Sequence, residues 1–277
     1  MYKLPNKSLL EKESEELDND KYYNLSKLIY HKDFKDNFVI PLGIDNNKEK
    51  YYLDLKNISG MLISGETGSG KSIFLHSIII SLLLKNTPEE LKYIIYDKRD
   101  VELSNYLTLP HLYKNMFSFD DLSYVVDLIL ERQNLFLEKG YTNINNYNEK
   151  EDNKLPRIVV LIDEMGEIIN LELFKDNLTK ILLDGYKYGI HLILSTSSYL
   201  KDYYDSKLID LFNYILTFDL ASQEQAKFVK IDDANLLSIE GDALIKCKNN
   251  NIINIQTPYV SLKDIENVIN FIKNNNM

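Results

Sequence analysis

The sequence predicts a mixed α/β protein built on a mainly parallel central sheet with helices on both faces. Three observations predict it. Short apolar runs bounded by polar turns alternate with longer helical patterns, a glycine-rich turn joins one such run directly to a helix, and another run ends in two adjacent acids. With 277 residues, 44% hydrophobic and 27% charged, the chain has the composition of a globular protein and can bury a sizeable core.

The elements follow in order. Residues 1–37 are charged and take short apolar steps at Leu9, Leu10, Leu17, Leu25, Leu28 and Ile29, which predicts a small helical segment outside the main core. From Phe38 the texture changes to FVIPLGID, a polar NNKEK turn and YYLDL, two strands of a β-hairpin preceding the core. MLISG is a buried strand, and IFLHSIIISLLLK has the length and apolarity of a buried helix that stops near Thr87-Pro88. KYIIYD, ending at Asp97, is the next strand. Residues 121–139 carry apolar side chains at helical spacing. RIVVLIDE is a strand, Leu173 to Tyr188 a helix, and HLILSTS a strand opened after Gly189. YILTFDL and DALIKC read as further strands, with 222–239 helical between them and an amphipathic helix over 262–273. The domain reading is an N-terminal helical segment (1–37), a nucleotide-type core (38–260) and a C-terminal helix (261–277).

Several function classes are disfavoured by the totals. The longest apolar run, Ile78 to Leu84, is broken by Ser81 and stops at Lys85, short of the ~18 residues that span a membrane. The first residues place acids where a secretory leader needs an apolar core, so a cytoplasmic protein is expected. The single Cys247 cannot close an internal disulfide and reads as a packed thiol. A net charge of −10 argues against a surface coated for nucleic acid, although a narrow channel needs basic or polar groups only on the loops that line it.

Gly65-Glu66-Thr67-Gly68-Ser69-Gly70-Lys71-Ser72 satisfies G-x-x-x-x-G-K-[ST] between a strand and a helix, as the phosphate-binding loop requires. Its glycines let backbone N–H groups turn inward on phosphates at the positive end of the following helix. Lys71 reaches the β and γ phosphates, and the Ser72 hydroxyl ligates Mg²⁺. ATP or GTP is the implied ligand. The strand ending in Asp163 and Glu164 supplies the second half of such chemistry: Asp163 holds Mg²⁺ through water, and Glu164 polarises the attacking water as a general base. No Asn-Lys-x-Asp element for guanine follows, so ATP is expected.

These residues resemble the motor domain of the FtsK/SpoIIIE family, from about Val39 to Lys246. IPLGID, MLISGETGSGKS, TPEELKYIIYDKRDVELSNYLTLPHL, GYTNINNYNE, VVLIDE and GIHLILSTS occur in the family's order. The specific part is Asp97, Val101-Glu102-Leu103, Tyr106 and Pro110-His111-Leu112. The resemblance implies a RecA-like P-loop NTPase that assembles into a ring, expected to be a hexamer, with ATP and Mg²⁺ between neighbours and double-stranded DNA in the pore. It also implies a basic residue reaching the neighbour's γ-phosphate. Of the three arginines, Arg157 opens its strand at the wrong end, which leaves Arg99 and Arg132 as candidates. Where the family typically has Thr-Gln-Arg-Pro, with Gln as the γ-phosphate sensor, this chain has Thr196-Ser197-Ser198-Tyr199. Thr196 and Ser197 are therefore the sensor candidates, and slower or differently coupled hydrolysis is expected. The polar segments after Gly140 and around Tyr199 to Asp205 are candidate pore surfaces.

Relatives that segregate chromosomes carry membrane spans and a DNA-reading module, and neither is expected in a chain read as ending near Met277. A short DNA translocase or conjugative transfer ATPase is thus expected, working with a membrane-bound complex. The alternatives are an ATPase that moves a secreted protein and a weakly hydrolysing ATP-binding regulator.

Overall fold

The computed structural model describes residues 2–10, 23–29, 36–97, 103–116, 118, 121–164, 171–197 and 206–276. Strand β1 (Tyr23–Asn24) and helix α1 (Leu25–Ile29) precede the hairpin of β2 (Val39–Ile44) and β3 (Lys50–Asp54). The hairpin turn is set by Asp45, whose Oδ1 accepts from the backbone N–H groups of Asn47 at 2.9 Å and Glu49 at 2.8 Å. Strand β4 (Gly60–Ser64) feeds the glycine-rich turn into α2 (Lys71–Leu83), which is apolar on every side and buried from Phe74 to Leu83. Asn86 closes that helix by donating from Nδ2 to Leu82 O at 2.9 Å.

Then come β5 (Leu91–Asp97), β6 (Leu112–Asn115) and α3 (Leu122–Lys139). Helix α3 ends on Gly140 at φ +76°, which lets Gly140 N–H reach Leu137 O. Next are α4 (Ile144–Lys150), β7 (Arg157–Asp163), α5 (Leu171–Asp184) and β8 (Ile190–Thr196). The chain finishes through α6 (Ser206–Ile209), β9 (Tyr214–Thr217), α7 (Gln223–Phe228), β10 (Asp242–Cys247), β11 (Ile252–Gln256), β12 (Pro258–Tyr259) and α8 (Leu262–Asn276). Helix α8 starts on a reciprocal cap: Asp264 N–H donates to Ser261 Oγ and Ser261 N–H donates to Asp264 Oδ2.

The chain divides into two compact units, one of residues 1–55, 63–87 and 214–277, the other of residues 56–62 and 88–213. In the second unit the strand order β8-β7-β5-β6 is parallel throughout, and β5, β7 and β8 are buried on both faces apart from Lys92. Uninterrupted Ile, Leu and Val runs are what such doubly covered strands require. The in-line register sets Asp97, Asp163 and Ser195 side by side at the carboxyl ends of three strands. In the first unit the order β3-β2-β11-β10-β9 is antiparallel, because short turns such as 45–49 and 248–251 can only reverse the chain.

The mixed α/β class with the leading hairpin is as expected, and the first unit adds a short parallel pair of β1 with β12. One local expectation is corrected. Residues 222–239 are helical only over α7 and a 3-10 turn at Ala234–Leu236, with Lys230 at φ +60° between them. The segment after Gly140, a candidate pore surface, forms helix α4. Asn143 caps it by accepting from Asn145 and Asn146 N–H, and Ile144 and Tyr147 bury against Phe136. Tyr199 to Asp205 lie outside the described residues. No described helix is long and apolar enough to cross a membrane.

Candidate nucleotide site

Three glycines of the 65–72 loop have positive φ: Gly65 at +152°, Gly68 at +84° and Gly70 at +114°. A Cβ on Gly65 would stand 2.7 Å from Phe218 Cβ and 2.9 Å from Ser69 Oγ, so the backbone can lie this close to its neighbours only as glycine. The loop is braced from outside. Glu66 N–H donates to Asp219 O at 2.8 Å, Gly241 N–H donates to Ser69 O at 3.2 Å, and Ala221 N–H donates to Glu66 Oε1 at 3.2 Å. Beneath it, Phe74 and Phe218 meet edge to face, and Ser64 and Thr217 share a buried hydroxyl contact at 3.0 Å.

Helix α2 opens on Gly70 without a side-chain cap, and its first helical bond is Phe74 N–H to Gly70 O. Helix-start N–H groups have no acceptor within the helix and carry the positive end of its dipole, so they suit phosphate oxygens. Lys71 is buried and folds its ammonium onto the loop, donating to Gly65 O and Glu66 O at 2.8 Å each. Ser69 Oγ is buried with no partner among the described residues. Ser72 stands in the first turn, half-buried. The loop thus offers a cation, backbone donors and hydroxyls to a polyphosphate.

One part of this unit was not anticipated. A shallow, open cleft lies beside Gly70, formed by Ile73, Gly241, Gln256, Pro258 and Tyr259. Its lining is mainly apolar, as suits the face of a heteroaromatic ring. Residues so far apart in the chain carry no sequence motif.

The second unit holds the acids. Asp163 closes β7, 3% exposed, in register with Asp97, whose Oδ2 accepts from Leu103 N–H at 2.8 Å. Leu103, Tyr106 and His111 are buried, so the described part of the 97–112 constellation acts as a brace for the strand end. Glu164 has φ +68°, rare for a residue with a side chain, and its N–H donates to Ser195 O at 2.9 Å. Its carboxylate accepts from Thr196 Oγ1 at 3.1 Å on Oε1, from Ser197 N–H at 3.2 Å on Oε1 and 2.9 Å on Oε2, and from Ser197 Oγ on Oε2. Thus Glu164, Thr196 and Ser197 meet. Serine and aspartate oxygens are the hard ligands that Mg²⁺ prefers.

Of the basic candidates, Arg132 lies among the described residues. It is 8% exposed, and its guanidinium donates to Tyr188 O at 2.6 Å and Pro156 O at 2.9 Å, which ties α3 to the ends of two other segments of its own unit. Burial lowers its pKa to about 10, so it stays charged at neutral pH. A side chain so held braces its own unit. Arg157 is likewise internal, donating to Asn145 Oδ1 at 2.6 Å and lying 3.1 Å from His191 Nε2. Arg99 lies outside the described residues. Cys247 is half-buried, and burial pushes its thiol pKa up, away from reactive thiolate.

Residues 27–238 match the FtsK/SpoIIIE family. A DNA translocase FtsK from Caldanaerobacter subterraneus subsp. tengcongensis is 29% identical over 252 residues, covering 87% of this chain and 36% of the relative. One from Lactococcus lactis subsp. lactis is 32% identical over 253 residues, covering 84% and 33%. The chain therefore spans about a third of the length of these relatives. Among solved structures, EssC (ATPases 2 and 3) from Geobacillus thermodenitrificans superposes with a TM-score of 0.72 at 21% identity, covering 86% of this chain and 48% of that one. The pCW3 conjugation coupling protein TcpA, in its monomer form with ATPγS, also gives 0.72 at 21% identity, covering 91% and 73%.

Proposed function

The chain belongs to the FtsK/SpoIIIE family of nucleotide-binding P-loop ATPases, and on that premise we propose that it hydrolyses ATP to drive double-stranded DNA. The observation that carries the hydrolytic reading is Glu164, placed one residue beyond the buried Asp163 with its carboxylate held by three donor groups. The curated relatives that are DNA translocases support DNA as the cargo over a secreted protein. The likeness to EssC, at 21% identity, is one of fold.

Lys71 and the N–H groups of 68–72 bind the β and γ phosphates, and the cleft beside Gly70 takes the base. Ser72 and Asp163 each carry an oxygen side chain that would hold Mg²⁺, which would supply charge neutralisation to a bound triphosphate. Glu164 accepts a proton from the attacking water, so the hydroxide equivalent forms as the γ-phosphoryl bond breaks. With Arg132 and Arg157 fixed internally, Arg99 is the arginine left to meet a neighbour's γ-phosphate in a ring, expected to be hexameric. The ring acts in the cytoplasm, peripheral to a membrane-bound transfer complex.

Glu164→Gln and Lys71→Ala separate the roles. Glu164→Gln should bind fluorescent ATP as the wild type does yet lose turnover by ~10²-fold or more, and Lys71→Ala should lose binding. Normal turnover by Glu164→Gln would remove the base from this scheme.

A further inference from the structure

We propose that Ser197 is a positioning residue, whose N–H and hydroxyl hold the Glu164 carboxylate in the orientation from which it takes a proton from water. The inference rests on Glu164 being the base, and it replaces the γ-phosphate-sensing role that the resemblance gives to this position.

A Ser hydroxyl has a single hydrogen to donate. Here it is donated to Glu164 Oε2, while the Ser197 N–H is shared between both carboxylate oxygens at 2.9 and 3.2 Å. A phosphate oxygen is an acceptor, so a hydroxyl whose hydrogen is engaged by Glu164 has nothing to offer it. The hydrogen bonds also explain how Glu164 keeps an uncommon backbone. Its φ of +68° and its N–H bond to Ser195 O at 2.9 Å set the main chain against the end of β8, and Thr196 and Ser197 then fix the side chain from that same strand end. Residues in sparsely populated backbone regions persist where their surroundings over-determine them. A carboxylate offers about four lone-pair sites. The three donor groups of Thr196 and Ser197 engage both carboxylate oxygens and so fix its plane.

The side chain that the resemblance leads one to expect, glutamine, is longer and would place its amide beyond the carboxylate. Serine, one atom past Cβ, reaches Glu164 because 163–164 and 195–197 run side by side, in the register Asp163 to Ser195. The short residue is thus matched to the base rather than to the nucleotide.

The test is steady-state hydrolysis of MgATP by Ser197→Ala, Ser197→Thr and Glu164→Gln, with thermal unfolding as the control for folding. Ser197→Ala keeps the N–H and loses the hydroxyl, so kcat should fall ~10-fold with KM unchanged, and Ser197→Thr should return to within ~2-fold of wild type. Adding Ser197→Ala to Glu164→Gln should change nothing further, because the two act as a unit. A wild-type or higher kcat for Ser197→Ala, or a raised KM at unchanged kcat, overturns the positioning role while an inert Glu164→Gln leaves the base in place. Normal turnover by Glu164→Gln removes the base itself and the inference with it.

Discussion

Arg132→Ala is expected to damage stability rather than chemistry. The substitution removes a charged donor from two backbone carbonyls, Tyr188 O at 2.6 Å and Pro156 O at 2.9 Å, in a place where water does not replace it. Hydrogen bonds to ionised groups contribute about 1.5–3 kcal/mol each, and stranding a buried carbonyl costs a similar amount. Relief from keeping a guanidinium buried offsets part of this, leaving a net loss of roughly 3 kcal/mol. For a chain of this size each kcal/mol moves Tm by about 2–4 °C, so a drop of roughly 6–12 °C should appear in thermal unfolding at pH 7.5. Arg132→Lys should fall between, since one ammonium on a flexible stem cannot span both carbonyls as the planar fork does. Below its lowered Tm the variant should hydrolyse ATP at near wild-type kcat. An unchanged Tm with lost turnover, restored by mixing with Glu164→Gln subunits, would refute the structural role and return Arg132 to the γ-phosphate. The same mixing experiment with Arg99→Ala should show that complementation.

Gly65→Ala should weaken ATP binding by at least ~10-fold and destabilise by ~1–3 kcal/mol, because the new Cβ would lie 2.7 Å from Phe218 Cβ at φ +152°. Gly68→Ala has nothing within 4 Å and meets only the penalty of φ +84°, so differential scanning of both variants should rank Gly65→Ala as the worse. His191 predicts an acid-side loss of stability. Burial, with Arg157 beside it, pushes its pKa down to about 3 from the ordinary 6.5, so its contribution is full above about pH 6.5 and is lost progressively as the pH falls toward 3. Tm measured from pH 7.5 to 5 should therefore decline less steeply in His191→Gln than in the wild type. Parallel profiles would remove His191 from the account.

Elements set by local pattern were legible in the sequence, and pairings across long separations were not. Helix α2 and strands β5, β7 and β8 were readable because each is a predominantly apolar run whose length separates helix from strand. The phosphate-binding loop was readable because its function depends on spacing within eight residues. By contrast, β11 reads Ile-Ile-Asn-Ile-Gln with only Ile255 buried, too little apolar signal for a strand, and α4 buries two residues in seven. The cleft beside Gly70 joins residues of α2 to others near 241 and 256–259 and has no local signature. Arg132 shows the same limit most sharply: helical spacing places it on a helix, but nothing in the sequence shows that carbonyls at 156 and 188 will enclose its guanidinium. The meeting of Glu164 with Ser197, across 33 residues, depends on the register of β7 with β8, which an apolar pattern does not specify.

The central claim is ATP hydrolysis coupled to DNA. Steady-state ATP hydrolysis by the purified chain, with and without linear double-stranded DNA at low and moderate salt, tests it most directly, with Glu164→Gln as the blank. The account predicts turnover that DNA stimulates several-fold and that declines toward the basal rate as salt displaces the phosphate contacts. Basal turnover that DNA leaves unchanged at low salt would contradict it and move the cargo to a protein.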